Sequence, residues 1–297
     1  MIADRQTNFV YYSDLIRLRY KEEWGKIETI LQKHSIKYGF LHGTRDIWCR
    51  DYMPVQVTET EYVQFQYFST YIREKKYEQE RTIPEEVAEW KSFPIRSTEI
   101  ILDGGNVVRS KNRVTISDRV YSDNRNWSRP VLIKAIEELL QSEVIIVPAY
   151  PKDMTGHSDG LVRFYNEKTV LINSPDGEPE KMWQSKFIQK LKKKDLDYME
   201  LPIFEDPNPL DDKDIVSAVG IYINFLEIGN LIILPVFASI ELQTVDGLSV
   251  SDIDENVIRQ FKALYPDHII EPVEINRIGR QGGLMNCITW NIWKPIL

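Results

Sequence analysis

Cys287 follows Gly282-Gly283 and precedes Ile288, Thr289 and Trp290, residue types that favour an extended strand. Paired glycines let the backbone turn tightly or come close to a ligand. The thiol is therefore set at the mouth of a turn backed by a strand, a mount suited to a nucleophile. Three further stretches place an acid or an imidazole beside glycine or at a strand end. They are Trp48-Cys49-Arg50-Asp51, Asp103-Gly104-Gly105-Asn106 and Gly156-His157-Ser158-Asp159. Together they supply one thiol, one imidazole and three carboxylates. Breaks in local consistency of this kind are where function is expected.

Each residue also has an ordinary reading. A free cysteine is often simply buried, and Cys49 is read that way. Asp51 would be satisfied by pairing with Arg50 or by capping a turn. Asp103 suits a Gly-Gly turn for side-chain-to-backbone reasons alone. A lone His157 is commonly a satisfied hydrogen-bond partner. The chemistry rests on the set rather than on any one member.

The elements that must carry these residues recur as strand, strand, helix, strand. Residues 9–12 read as a strand. Residues 22–34 read as a helix with Trp24, Ile27, Ile30 and Leu31 at helical spacing. Residues 38–41 return to strand character. Strands are expected over 55–57, 62–68 and 100–102, then a hairpin over 107–116. A helix is expected over 130–140 and a strand over 144–147, followed by a hairpin over 161–173 and a helix over 179–191. Another hairpin is expected over 222–234, then a helix over 253–264 and a strand at Ile269-Ile270. Residues 70–93 read as surface loop with a short helix near Pro84. Residues 205–214 read as an acidic, solvated loop. The recurrence is one of pattern rather than identity. No linker composition divides residues 1–297, so one catalytic domain is expected.

Composition narrows the classes. The 297 residues carry a net charge of −8, 42% hydrophobic and 28% charged residues, ordinary for a globular chain with a sizeable core. The acidic balance argues against a nucleic-acid partner and suits a cationic ligand. Two cysteines imply no disulfide framework, and four scattered histidines give no metal-ligand spacing. No apolar run reaches bilayer-spanning length and residues 1–6 have no signal core. A cytoplasmic protein without membrane association is expected, with homo-oligomerisation left open.

Taken in order, the four stretches resemble the guanidino-group-modifying superfamily, in its agmatine deiminase and bacterial-type peptidyl-arginine deiminase branch. Residues Trp48 to Pro54 are similar to its Trp-x-Arg-Asp-x-x-Pro motif. Asp103-Gly104-Gly105-Asn106 looks like its acid-Gly-Gly-Asn motif, and Gly156-His157-Ser158-Asp159 its Gly-His-x-Asp motif. Gly282-Gly283 to Cys287 resembles its terminal Gly-Gly-to-Cys motif. The resemblance implies an α/β fold, a five-bladed pseudo-symmetric propeller of ββαβ units (a pentein). It implies a hydrolase acting on C–N bonds of linear amidines, with no metal or organic cofactor and a small cationic guanidine as partner.

It also assigns roles. Asp51 and Asp159 would grip the planar guanidinium, for which bidentate carboxylates are matched. Cys287 would attack its carbon. His157 would act first as acid and then as base, with Asp103 orienting it. Trp48 and Asn106 would contact substrate. Two carboxylates beside a thiol disfavour its ionisation, so the thiolate is expected to form with the substrate cation or His157 in support. Three positions depart from the family pattern: Tyr52-Met53 where glycine is common, Asp103 where glutamate is common, and Asn286 where histidine is common. These bear on substrate rather than on the reacting groups. Agmatine, giving N-carbamoylputrescine in polyamine metabolism, leads. Arginine, peptidyl-arginine, another guanidine, or amidino transfer on the same scaffold are the alternatives. Outside that class stand a thiol peptidase built on the Cys287–His157 pair and a non-catalytic guanidine-binding protein.

Overall fold

The recurring strand and helix pattern folds into small sheets of like design. The computed structural model describes residues 1–73, 78–175, 177–210, 215–243 and 247–295. Among these residues there are five three-stranded sheets. In each, two strands pair antiparallel and a third is added in parallel. A parallel third strand requires a crossover, and helices supply it in four blades. One blade sets Leu226–Ile228 and Leu231–Val236 against Ile269–Glu274, with the helix Val250–Leu264 crossing between them. Three more use the helices Lys21–Lys33, Arg129–Leu140 and Glu178–Lys192 in the same place.

The helical periodicity has a clear physical use. Lys21–Lys33 buries Trp24, Ile27, Ile30 and Leu31 on its inner face, each burial contributing about 1.5–3 kcal/mol. Val250–Leu264 starts at Ser249, whose hydroxyl accepts from Asp252 N at 3.2 Å, and buries Ile253, Val257 and Phe261. The ring of blades closes across the chain's two ends. Strand Phe9–Ser13 pairs in parallel with Lys37–Leu41, and antiparallel with Trp290–Ile292, Phe9 facing Ile292. The result is the five-bladed pseudo-symmetric α/β propeller.

Three expectations change in detail. In the crossover over 67–94 the short helix expected near Pro84 is a 3-10 turn, Pro84–Glu86. The crossover also has 3-10 turns at Thr70–Arg73 and Trp90–Ser92, and it buries Ile72 and Val87, so it is more than a surface loop. The strand expected from residue 222 starts at Leu226, because Tyr222 and Asn224 spend their polar groups outside the sheet, Tyr222 donating to Asp254 at 2.6 Å. A strand at Asp197–Pro202 was masked in the sequence by its charged residues. It pairs in parallel with Thr169–Ser174 on the sheet's edge. Of the acidic stretch 205–214, residues 211–214 lie outside the described residues. Asp206 is occupied by Arg280 at 3.1 Å and Ser217 at 2.8 Å.

A buried ionic knot joins distant parts of the chain. Asp4 meets Arg109 at 2.8 Å and Arg163 at 2.7 Å. Burial alone would raise the Asp4 carboxyl, but Arg163 and Arg109 hold it well below the usual range. Among the described residues, no helix is long and apolar enough to cross a membrane.

Candidate active site

The site is built at the junctions between blades. Each parallel third strand ends in a segment that leads to the next blade's first strand. Trp48 and Asp51 follow Lys37–Leu41, and Asp103 follows Ile95–Ile101. His157 and Asp159 lie between Glu143–Val147 and Val162–Phe164. Cys287 lies between Ile269–Glu274 and Trp290–Ile292. The irregular junctions free their side chains from the sheet, while the strands on either side fix where they stand.

These residues converge from far apart in the chain. Cys287, Asp51, His157, Asp159 and Trp48 all line one cavity of about 250 Å³. Cys287 Sγ is 3.5 Å from Asp159 Oδ2. Asp51 Oδ1 is 3.5 Å from His157 Nδ1 and accepts from Gly105 N at 3.0 Å. The carbonyl of Gly105 accepts from Asp159 N at 3.1 Å, so one residue's backbone ties the two acids together. A β-carbon at residue 105 would collide with Asp51 Oδ1 and His157 Nδ1. Gly283 likewise lies under the Trp48 ring, where a side chain would strike it.

Asp103 stands behind the cavity. Its Oδ2 takes His157 Nε2 at 3.0 Å, Ser69 Oγ at 2.7 Å and Tyr71 Oη at 2.9 Å. Tyr71 also sets its ring edge-on to the imidazole, 6.0 Å between centroids. Arg50 does not pair with Asp51. Its guanidinium reaches Asn286 O at 3.3 Å and the side chain of Asn291. Cys49 is fully buried, its thiol 3.0 Å from Ile288 O.

Asn106 is the sequence candidate that the structure places elsewhere. Its Oδ1 accepts from Ser117 N at 2.8 Å, and it is absent from the cavity wall. This asparagine pins the Asp103 turn to the following hairpin. A residue that sequence reasoning missed takes a place beside the sulfur. Asn224 donates from Nδ2 to Cys287 Sγ at 3.2 Å, while its Oδ1 accepts from Asn286 N at 3.0 Å. It comes from the fifth junction, ahead of Leu226–Ile228. The recurrence was the signal that would have found it: four junctions carried polar candidates, and the fifth carries Asn224.

Burial and charge set the electrostatics. Burial pushes the Cys287 thiol well up, and Asp159 and Asp51 push it further. Burial also raises Asp51, to about 8. His157 draws it down, and Asp103 and Asp159 add to the rise. Burial disfavours the His157 imidazolium, yet Asp51 and Asp103 outweigh it and raise the group to about 10. The cavity thus sets two carboxyl groups beside a sulfur, and a cation bound there would lower both the Asp51 carboxyl and the Cys287 thiol.

The model of the Porphyromonas-type peptidyl-arginine deiminase family matches residues 16–292. The chain belongs to that family. No curated protein sequence matches it. Among solved structures, C. jejuni agmatine deiminase is 18% identical with a TM-score of 0.70, over 100% of this chain and 96% of that one. Enterococcus faecalis agmatine deiminase is 14% identical with a TM-score of 0.75, over 100% and 96%. DDAH from Pseudomonas aeruginosa, complexed with citrulline, is 10% identical with a TM-score of 0.61, over 97% and 100%. At these identities the likeness is one of fold, and it places this peptidyl-arginine deiminase family member among five-bladed penteins.

Proposed function

We propose that the chain is a hydrolytic guanidine deiminase that converts agmatine to N-carbamoylputrescine and ammonia. The observation that carries the reading is the sharing of one cavity by a thiol, an imidazole and two carboxylates, Cys287, His157, Asp51 and Asp159. Solved agmatine deiminases share the fold over the whole chain. A cavity of about 250 Å³ is at the small end for ligand pockets, ~300–1,000 Å³, which favours a small guanidine. Peptidyl-arginine is the second reading, favoured by the family's own description.

In this reading Asp51 and Asp159 hold the flat cation by its nitrogens. The bound charge offsets the two acids that raise the Cys287 thiol, so with substrate in place the thiol gives its proton up to solvent and the thiolate forms. Sulfur attacks the guanidinium carbon and a C–S bond forms. His157, charged at neutral pH by Asp51 and Asp103, gives its proton to the departing nitrogen. Ammonia leaves and a thiouronium stays on Cys287. The neutral imidazole then takes a proton from water, the oxygen adds to the same carbon, and the C–S bond breaks. The net reaction consumes one water and releases ammonia and a ureido product. Asn224, donating at 3.2 Å to the sulfur, steadies its negative charge. Residues 1–297 act as one catalytic unit, since ring closure at Phe9–Ser13 and Trp290–Ile292 holds the Cys287 junction against the others.

A panel of guanidines, with agmatine, arginine and peptidyl-arginine among them, assayed for ureido product and ammonia without an acceptor amine, tests the reading. Ammonia release from agmatine with an adduct on Cys287 by mass spectrometry supports it. Turnover that requires an amine acceptor would replace hydrolysis by amidino transfer.

A further inference from the structure

We propose that Asn286 is a positioning residue that fixes the Asp159 carboxylate and shields its charge from the neighbouring sulfur. Asn286 accepts from Arg163 Nη1 on Oδ1 at 2.9 Å and donates from Nδ2 to Asp159 Oδ2 at 2.7 Å. That oxygen is the one 3.5 Å from Cys287 Sγ. The amide's orientation follows from its partners. A guanidinium only donates and an ionised carboxylate only accepts, so Oδ1 must face Arg163 and Nδ2 must face Asp159. The backbone is held as firmly: Asn224 Oδ1 accepts from Asn286 N at 3.0 Å, and Asn286 O accepts from Arg50 Nε at 3.3 Å. All of these groups are buried.

The consequence is electrostatic. Asp51 and Asp159 face the sulfur, with His157 and Asp103 behind Asp51. Arg163 lies on the opposite side, anchored by Asp4 at 2.7 Å. The Asn286 amide links the Arg163 cation to the Asp159 anion and draws on the lone pairs of the oxygen nearest the sulfur. A hydrogen bond to a buried carboxylate both orients it and lowers its repulsion of a second anion. Asn286 touches neither substrate nor sulfur in this scheme and acts through Asp159.

The test has two arms, of which the turnover arm rests on the deiminase reading and the thiol arm does not. Iodoacetamide alkylation of Cys287 is followed against pH without substrate, and kcat and KM are measured with agmatine. In Asn286→Leu the alkylation profile is expected to move up by about one pH unit. KM is expected to rise about tenfold or more, the loss of a hydrogen bond to a charged group. Asn286→His, able to accept at one nitrogen and donate at the other, is expected to bring both back toward the parent. If the Leu variant fails to fold, Asn286→Ala, too short to bridge, takes its place. An alkylation profile unchanged in the bridging-deficient variant overturns the proposal, as does an unrescued His variant with intact near-UV circular dichroism. If the parent enzyme turns over no guanidine, the deiminase reading fails and the alkylation arm decides this proposal alone.

Discussion

Asn224 and Cys287 are joined three times: Nδ2 lies 3.2 Å and Oδ1 3.4 Å from Sγ, while Oδ1 also takes Cys287 N at 3.4 Å and, beside it, Asn286 N at 3.0 Å. One side chain therefore fixes the peptide that carries the sulfur and offers the sulfur a donor. Asn224→Leu is expected to lower kcat about ten- to hundredfold, the cost of a lost hydrogen bond to a charged group. Steady-state kinetics on the folded variant checks it. A kcat within twofold of the parent would show that the contact is idle in turnover.

Removal of the proposed nucleophile separates binding from chemistry. Cys287→Ser is expected to bind a guanidine in calorimetry and release no ammonia, since serine is a far weaker nucleophile at neutral pH. A protein that only sequesters guanidines would keep its full function in this variant. Asp51→Asn, which leaves Cys287 and His157 in place but weakens the grip on the cation, is expected to abolish deimination. Retained hydrolysis of peptides in Asp51→Asn would favour a thiol peptidase.

Gly105 is a steric test of the site's closeness. Its amide donates to Asp51 at 3.0 Å, and a β-carbon would strike both Asp51 and His157. Gly105→Ala is expected to destabilise the fold by about 1–3 kcal/mol, the range for overpacking. Because the displaced atoms are Asp51 Oδ1 and His157 Nδ1, kcat/KM is expected to fall further than the loss of folded protein explains. Urea denaturation and kinetics on the same sample measure the two effects, and parent-like values in both would refute the packing seen here.

Alkaline pH should loosen the ligand-free protein. The Asp51 carboxyl ordinarily titrates near 3.8 and is raised to about 8 in the fold. Between those values the unfolded chain has lost a proton that the folded one keeps, so stability falls as pH rises. His157 moves the same way, from 6.5 to about 10. Its contribution is full below 6.5 and lost on passing 10. Both groups act between 6.5 and 8, and the melting temperature is expected to drop across that window. Asp51→Asn should flatten the slope, and a melting temperature that rises from pH 6.5 to 8 would contradict the arrangement of these charges.

Much of this was legible in sequence because the residues break local rules. A thiol after Gly282-Gly283 and a histidine two residues before an acid stand out from any strand or helix pattern. The helix burying Trp24, Ile27, Ile30 and Leu31 announced its face by spacing. Asn224 did not stand out, because it lies in Tyr222-Ile223-Asn224-Phe225, which has strand composition, and its partners are more than sixty residues away. Asn106 is the opposite case. It belongs to a motif beside the reacting groups, yet its carbonyl turns to Ser117. Ser69 and Tyr71 went unread in a charged stretch, though both hydroxyls close on Asp103. Roles created by tertiary contact leave little trace in local composition.

The pairing of Trp290–Ile292 with Phe9–Tyr11 has a bearing on synthesis. A chain emerging from the ribosome in order offers its first strand an antiparallel partner only when residues near 290 have left the tunnel. Cys287 arrives with that same segment. Assembly of the ring and delivery of the sulfur thus coincide, so a nascent or prematurely terminated product has neither a sealed first blade nor the Cys287 thiol. Such fragments would carry an open strand edge, a template for pairing with other chains.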